Sequence, residues 1–530
     1  MPSTQVRVAC PTISTIGRSH ISTGRGETEA PITMEEHAST QAKTGVDTTK
    51  QPQEPASAPA VPPVPPGPAV DPDAAVAAPK PKRGGHLHQI DLVRLVTFAA
   101  VIFDHVILGL MSAGAVAAGG IGLLCRYTRY SFFALTGFVQ TYQYRNRELK
   151  PVEYWRRRYK LIGLPFLMWS LFYWAYTRYR RGGISNVVDN FTSLDALGTA
   201  LKSIAYDLIT GHAFYHMYFM SVSMQIYLVF PAVLWVLKRT WGYHRYLLAV
   251  SFAFHAWLIW RMMLPPLGIF DSGLLGKLWS HLTITLLPYQ FFILAGCVAA
   301  MHFEAFQAFM IRRRAQLIAA GLVVVAGTLW WYTVAYHGGR GNVGNGPDFD
   351  RMFRATNVFS IYNVGAFIAI IVVLYCLGTL WQQRRSQGSL ADRFMAKAAD
   401  RSYGIYLAHA LALAELMRFL REHPGGPFWP KVLATYVVTC LLTVFVVETL
   451  RRSPISLVTT GRNMISWKEQ NEVKMAAFAL GAVILGIVAR YGFEMLVGQL
   501  ITGTGLLLAV SAAVVAYQRR RAAIEEGATL

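Results

Sequence analysis

In the stretch "VRLVTFAAVIFDH", Arg94 opens an apolar run that closes on Asp104 and His105. The run continues as "VILGLMSAG", so the aspartate and the histidine lie inside a hydrophobic segment. Arg94 and His105 are eleven positions apart. At roughly 100° per residue that is three helical turns plus about 20°, so both project from one face, about 16 Å apart along the axis. An ionised side chain at mid-bilayer costs on the order of 3 kcal/mol, and such residues face a protein interior or an aqueous cavity. A lone intramembrane histidine is as readily a structural hydrogen-bonding group as a functional one. A same-face arginine and an adjacent aspartate tip His105 toward function. Histidine titrates near neutral pH, and general-base help from it is worth about 10²–10⁴ in rate.

The elements that must position these residues follow from composition. Of 530 residues, 53% are hydrophobic and 15% charged, against about 25% charged in soluble proteins. After residue 90, apolar runs of bilayer-crossing length recur. They predict an all-α, polytopic transmembrane bundle of about ten core spans plus two carboxy-terminal ones. The spans fall near 91–111, 119–144, 161–180, 212–237, 246–264, 281–302, 315–336, 358–381, 402–420, 430–450, 474–491 and 497–517. Residues 1–85 form a separate Pro/Ala-rich segment, too polar and Pro-rich to bury a core, and read as a disordered cytoplasmic tail. No apolar stretch follows Met1, so no signal peptide is expected. Residues 86–455 form the core domain, and 456–530 a linker, the two extra helices and a short basic tail.

The formal charge is +21, but the Lys and Arg sit in clusters between apolar runs. Examples are "YWRRRYK", "MIRRR", "LRRSP" and "YQRRR". Clusters beside membrane spans set topology and touch anionic headgroups, and no nucleic-acid motif accompanies them. The opposite connections are richer in Gly, Pro, Asn and Asp, so both termini are expected in the cytoplasm of a cell-membrane protein. Cys10, Cys125, Cys297, Cys376 and Cys440 form no CxxC pair and read as small hydrophobes.

The motifs have a family likeness. "IDLVRLVTFAAVIFDH" resembles the first helix of the membrane acyltransferase type 3 family, with Arg94 and His105 at its arginine and histidine positions. "RYSFFALTGFVQTY", "YWRRRYKLIGLPFLMWSLFYW", "HAFYHMYFMSVSMQIYLVFPAVLWVLKR" and "RSYGIYLAHALAL" are similar to later family segments, in order, from about residue 88 to 450. Thr136 stands where the family has serine, and Arg157-x-x-Lys160 where it often has Arg-x-x-Arg. The resemblance implies transfer of an acyl group, usually acetyl, from cytoplasmic acyl-CoA to a hydroxyl of an envelope or exported carbohydrate or other polyol. It implies His105 as the base and the basic groups as the donor site.

Coenzyme A is a polyanion, so Arg94, Arg157 and Lys160 are the expected donor-binding residues, with the acyl arm running along the Arg94–His105 face. The rest of the "RRR" run reads as topology and lipid contact. Asp104 faces away from that stripe and reads as structural or as an orienter of the site, paired with Arg126 or Arg129 to offset both burial costs. His216, Tyr218, Tyr406 and His409 are expected to line the acceptor pocket. "HAFYH" puts His212 and His216 four apart on one helical face, but lacks the Glu of HExxH, and no metal is expected. Thr136 beside Gly137 reads as a close helix–helix contact.

A transporter or flippase of a glycoconjugate or other polyol is the competing reading. It calls for internal repeats and midplane carboxylates. No repeat is evident, and Asp207, Glu415 and Glu448 fall toward span ends. The loop charges give a direct test of orientation. Tags after residue 85 and after Arg521 are expected to report the cytoplasm, and tags near Asn345 and Gly426 the outside. A cytoplasmic Asn345 overturns this arrangement of spans.

Overall fold

A computed structural model describes residues 86–111, 115–338, 348–525 and 527. The expected amino-terminal tail and Asn345 lie outside the described residues. Within them every regular element is a helix, and each of the twelve expected segments coincides with helical structure. Seven helices are long and apolar enough to cross a membrane: His88–Leu110, Tyr218–Arg239, Arg314–Gly338, Ile361–Arg384, Phe428–Arg452, Glu472–Gly492 and Val497–Glu525. An eighth crossing follows if Leu287–Met301 and Phe303–Arg312, bent by 95°, are counted as one.

The difference from twelve has local causes. The segment expected at 119–144 breaks at Arg126 into Val116–Cys125 and Tyr127–Tyr144. Leu164–Gly182 ends in a basic turn, His244–Met262 carries an arginine near each end, and Leu390–Glu422 begins with a polar stretch. The segment expected at 281–302 starts with two 3-10 turns around Pro288, and only Gln290–Met301 is α-helical. A helix at Leu194–Thr210, opened by Ser193 accepting from the Ala196 N–H, was not foreseen.

The first helix, His88–Leu110, is the hub. It packs against Val116–Cys125, Tyr127–Tyr144, Ile361–Arg384, Leu390–Glu422 and Phe428–Arg452. Without a hydrophobic force between helices in lipid, such contacts depend on small residues that let backbones approach. A Cβ on Gly378 would sit 2.5 Å from the Gln89 carbonyl, which sets how closely Ile361–Arg384 crosses the first helix. The expected close contact at Gly137 is present. Cβ atoms built there and on Gly296 would lie 2.3 Å from the Ile293 carbonyl and 2.0 Å from the Ala134 carbonyl.

The two carboxy-terminal helices form a hairpin by the same device. A Cβ on Gly498 would meet the Gly486 carbonyl at 2.4 Å. The hairpin is no detached appendage, because Val497–Glu525 packs on both Phe428–Arg452 and Leu390–Glu422. Ahead of it, the short helix Ser456–Thr460 docks on Leu164–Gly182, where Trp169 Nε1 donates to the Thr459 carbonyl at 2.9 Å.

These crossings make a stability prediction. Gly296→Ala should cost about 1–3 kcal/mol, because neither backbone can yield without opening the pair. Gly327, whose added Cβ would meet nothing within 4 Å, is the control. A thermal melt in detergent should drop for Gly296→Ala and hold for Gly327→Ala.

Candidate active site

The first helix runs unbroken from His88 to Leu110, so Arg94 and His105 share a face as their spacing requires. His105 meets the long helix Leu390–Glu422. Its Nδ1 lies 3.0 Å from His409 Nε2, and the two rings stack with centroids 5.2 Å apart. His409 is wholly buried, and its Nδ1 lies 2.6 Å from the Tyr406 carbonyl one turn back. Tyr406 in turn sends its hydroxyl to the carbonyl of His216. The His216 ring lies 5.1 Å from His409 and 5.4 Å from Tyr406, edge-on to both.

Four of the residues expected at the site, His105, His216, Tyr406 and His409, are thus one cluster. His216 is only 3% exposed, and neither of its ring nitrogens has a hydrogen-bond partner among the described residues. Its route into the cluster corrects the sequence reading. Residues 211–217 form turns rather than the start of a helix. Gly211 takes φ +74°, and a Cβ there would lie 2.2 Å from Tyr218 Cα, so the turn requires glycine. His212 and His216 therefore do not share a helical face. His212 is exposed beside Tyr206, at 5.5 Å, while His216 points inward.

The turn also delivers a residue that sequence reasoning missed. Tyr215 stands edge-on to His105 with ring centroids 4.9 Å apart, and is 45% exposed. Its only signal was adjacency to His216, which a helical reading of "HAFYH" turns about 100° away. Tyr218 begins the following helix and carries the Arg129 guanidinium over its ring at 5.0 Å.

Asp104 departs from expectation in its partner. It faces Gly122, whose added Cβ would lie 3.6 Å from Asp104 Oδ1, and that oxygen has no hydrogen-bond partner among the described residues. Arg126 and Arg129 act on it electrostatically, but Arg126 gives its guanidinium to the carbonyl and hydroxyl of Thr356 instead. The cause is the helix break at Arg126, where the backbone N–H is shared between the Gly122 and Leu123 carbonyls and the side chain is turned toward Thr356.

At the other end of the stripe, Arg94 is half-buried and makes no hydrogen bond or ion pair among the described residues. The groups that act on it are Asp91, Tyr227 and Arg462. Arg157 and Lys160 are exposed and carry no such contact among the described residues. Arg158, which the sequence left to topology, is the member of the triple that acts on Tyr227 together with Arg94. It donates to Gln143 at 2.7 Å.

Arg462 was not foreseen at all. Gly461, at φ +68°, packs on the Leu161 carbonyl, and the following arginine lies 3.5 Å from Asp400. Asp400 is shared with Arg401 and Arg451, at 2.8 and 3.1 Å. Two of the three carboxylates that a transporter would have used are tied into pairs: Glu415 with Arg180 at 3.1 Å, and Glu448 with Arg401 at 2.7 Å. Outside the cluster, His86, His88 and Asp91 bring ligand-type atoms within 4.8 Å of one another at the start of the first helix.

Known proteins bear on this geometry in one way. A family model described as an acyltransferase domain, Acyl_transf_3, matches residues 87–448. No curated protein and no solved structure matches the chain. The match takes in the first helix, the inward turn at His216 and the helix of His409. Covered over about two thirds of its length, this multi-helix membrane chain belongs to the membrane acyltransferase type 3 family and is an acyltransferase.

Proposed function

We propose that the protein is an integral-membrane O-acyltransferase. It moves an acyl group, acetyl in the simplest case, from cytoplasmic acyl-CoA to a hydroxyl of an envelope or exported carbohydrate or other polyol. The observation that carries the reading is the pairing of a hydrogen-bonded, deeply set His105 with an unpaired Arg94 on the same face of the first helix. A hydroxyl attacks a thioester only if a base within reach takes its proton. In the proposed step the acceptor proton passes to His105. The acceptor oxygen bonds to the thioester carbon, the carbon–sulfur bond breaks, and the thiolate leaves to be protonated as coenzyme A.

The donor's phosphates need cations that are not already neutralised. Arg94 supplies one, and Arg158, which acts with it on Tyr227, supplies another; Arg462 acts on Arg94 too but shares its charge with Asp400, 3.5 Å away. Arg157 and Lys160 are exposed where they could steer the polyanion from the cytoplasmic side. The neutral arm then runs from Arg94 toward His105, and the half-exposed Tyr215 with His216 and Tyr218 forms the wall against which an acceptor hydroxyl is presented. Stacking of a sugar face on an exposed aromatic ring such as Tyr215 suits a polyol. Asp104, close to two arginines, helps hold the local field rather than moving a proton.

Mass spectrometry of envelope polysaccharides and secreted metabolites from cells with and without the protein should show a difference of one acyl group, which identifies the acceptor. With that acceptor in membranes, His105→Ala should lose about 10²–10⁴ in transfer rate while donor binding persists. Arg94→Ala should weaken the donor about 10–100-fold, the worth of a charge-assisted hydrogen bond of about 1.5–3 kcal/mol. Asp104→Asn should be milder than His105→Ala. Near wild-type transfer by His105→Ala, at equal folded protein, removes the base and favours a transport role.

A further inference from the structure

His409 stands one hydrogen bond behind His105, and the direction of that bond is fixed by the next one. The Tyr406 carbonyl can only accept, so His409 Nδ1, 2.6 Å away, must carry a proton. A neutral His409 protonated at Nδ1 has a bare lone pair at Nε2. That nitrogen is 3.0 Å from His105 Nδ1, so His105 Nδ1 must be the donor. A neutral His105 that donates from Nδ1 has its lone pair at Nε2, the nitrogen turned away from His409. We propose that His409 is a positioning residue that sets the tautomer and ring plane of His105, so that Nε2 is the basic atom offered to the acceptor hydroxyl. This deepens the proposed function and rests on its assignment of His105.

The surroundings make the arrangement stiff. The carbonyl that anchors His409 belongs to the same helix one turn earlier, so it moves with the ring it orients. The Tyr406 hydroxyl is tied to the His216 carbonyl and Tyr173 donates to the Leu407 carbonyl at 2.7 Å, which pins this turn of helix to two other elements. His409 is wholly buried, so the acceptor facing His105 Nδ1 is itself out of contact with solvent. When His105 takes the acceptor's proton, both its nitrogens become donors, and the bond to His409 stabilises that cation without a proton having to travel further. The charges that face the pair are Arg129 on His105, and through it Asp104.

The test separates the two nitrogens of His409 by substitution. Glutamine puts its carbonyl oxygen about where Nε2 stands and can accept from His105. Asparagine mimics Nδ1, reaching the Tyr406 carbonyl but not His105. Alanine does neither. In membranes, with acyl acceptor in excess and activity normalised to folded protein, His409→Gln should retain most of kcat. His409→Asn and His409→Ala should each lose at least tenfold in kcat with KM for acyl-CoA unchanged. Equal losses in all three variants would reduce His409 to packing and overturn the inference, as would full kcat in His409→Ala. His105→Ala, run alongside, keeps the two failures apart. If it is inactive while the three His409 variants behave alike, positioning falls and the base stands. If it is active, the base itself falls.

Discussion

A bilayer offers no water to a stray donor or acceptor, so each polar group set at depth must find its partner inside the protein. In this chain the chief polar line at depth runs from Tyr406 through His409 to His105, with His216 hung on the same helix turn. The first helix carries both His105, on this line, and Arg94, three turns away on the same face. Five helices pack around it, and its position against them fixes where His105 can point.

That position depends on missing side chains. Gln89 and Gly378 meet backbone to backbone at one end of the first helix, and Gly137 and Gly296 bring its neighbour Tyr127–Tyr144 against Gln290–Met301. Close backbone approach gives tight association that lipid does not weaken, since apolar side chains are as content in lipid as against each other. The polar line and the glycine crossings therefore act jointly. The crossings set the helix axes within narrow limits, and the hydrogen bonds then choose the rotation about each axis.

Much of this was legible in the sequence because it obeys a period. Arg94 and His105 share a face by helical arithmetic alone, and each of the twelve apolar runs contains helix, seven of the helices long and apolar enough to cross a membrane. What was not legible depended on breaks in the period. Residues 211–217 looked like the start of a helix until Gly211 turned them, and only then does His216 face inward with Tyr215 beside it. The break at Arg126 diverted a guanidinium from Asp104 to Thr356. Arg462 stands far from Arg94 in sequence, in a connection with no pattern of its own, and comes to act on Arg94 from just after the left-handed turn at Gly461.

The contrast between the two ends of the first helix bears on how an acyl group could be handed across it. At His105 the polar atoms are neutral, short-ranged and directional, which suits one proton moving over one hydrogen bond. At Arg94 the groups are charged, and like charges are held near one another with Asp91 as the carboxylate acting on Arg94. Gathering cations this way is unfavourable unless an anion visits, whereas a neutral histidine relay is stable when empty. A donor carrying its charge at one end and its thioester at the other would relieve the first end while leaving the second undisturbed. Arg462, from beyond the family-matched residues 87–448, strengthens the charged end alone. In the proposed reaction the carboxy-terminal segment therefore bears on how tightly a donor would be held, while His105, the proposed base, lies within the family-matched residues.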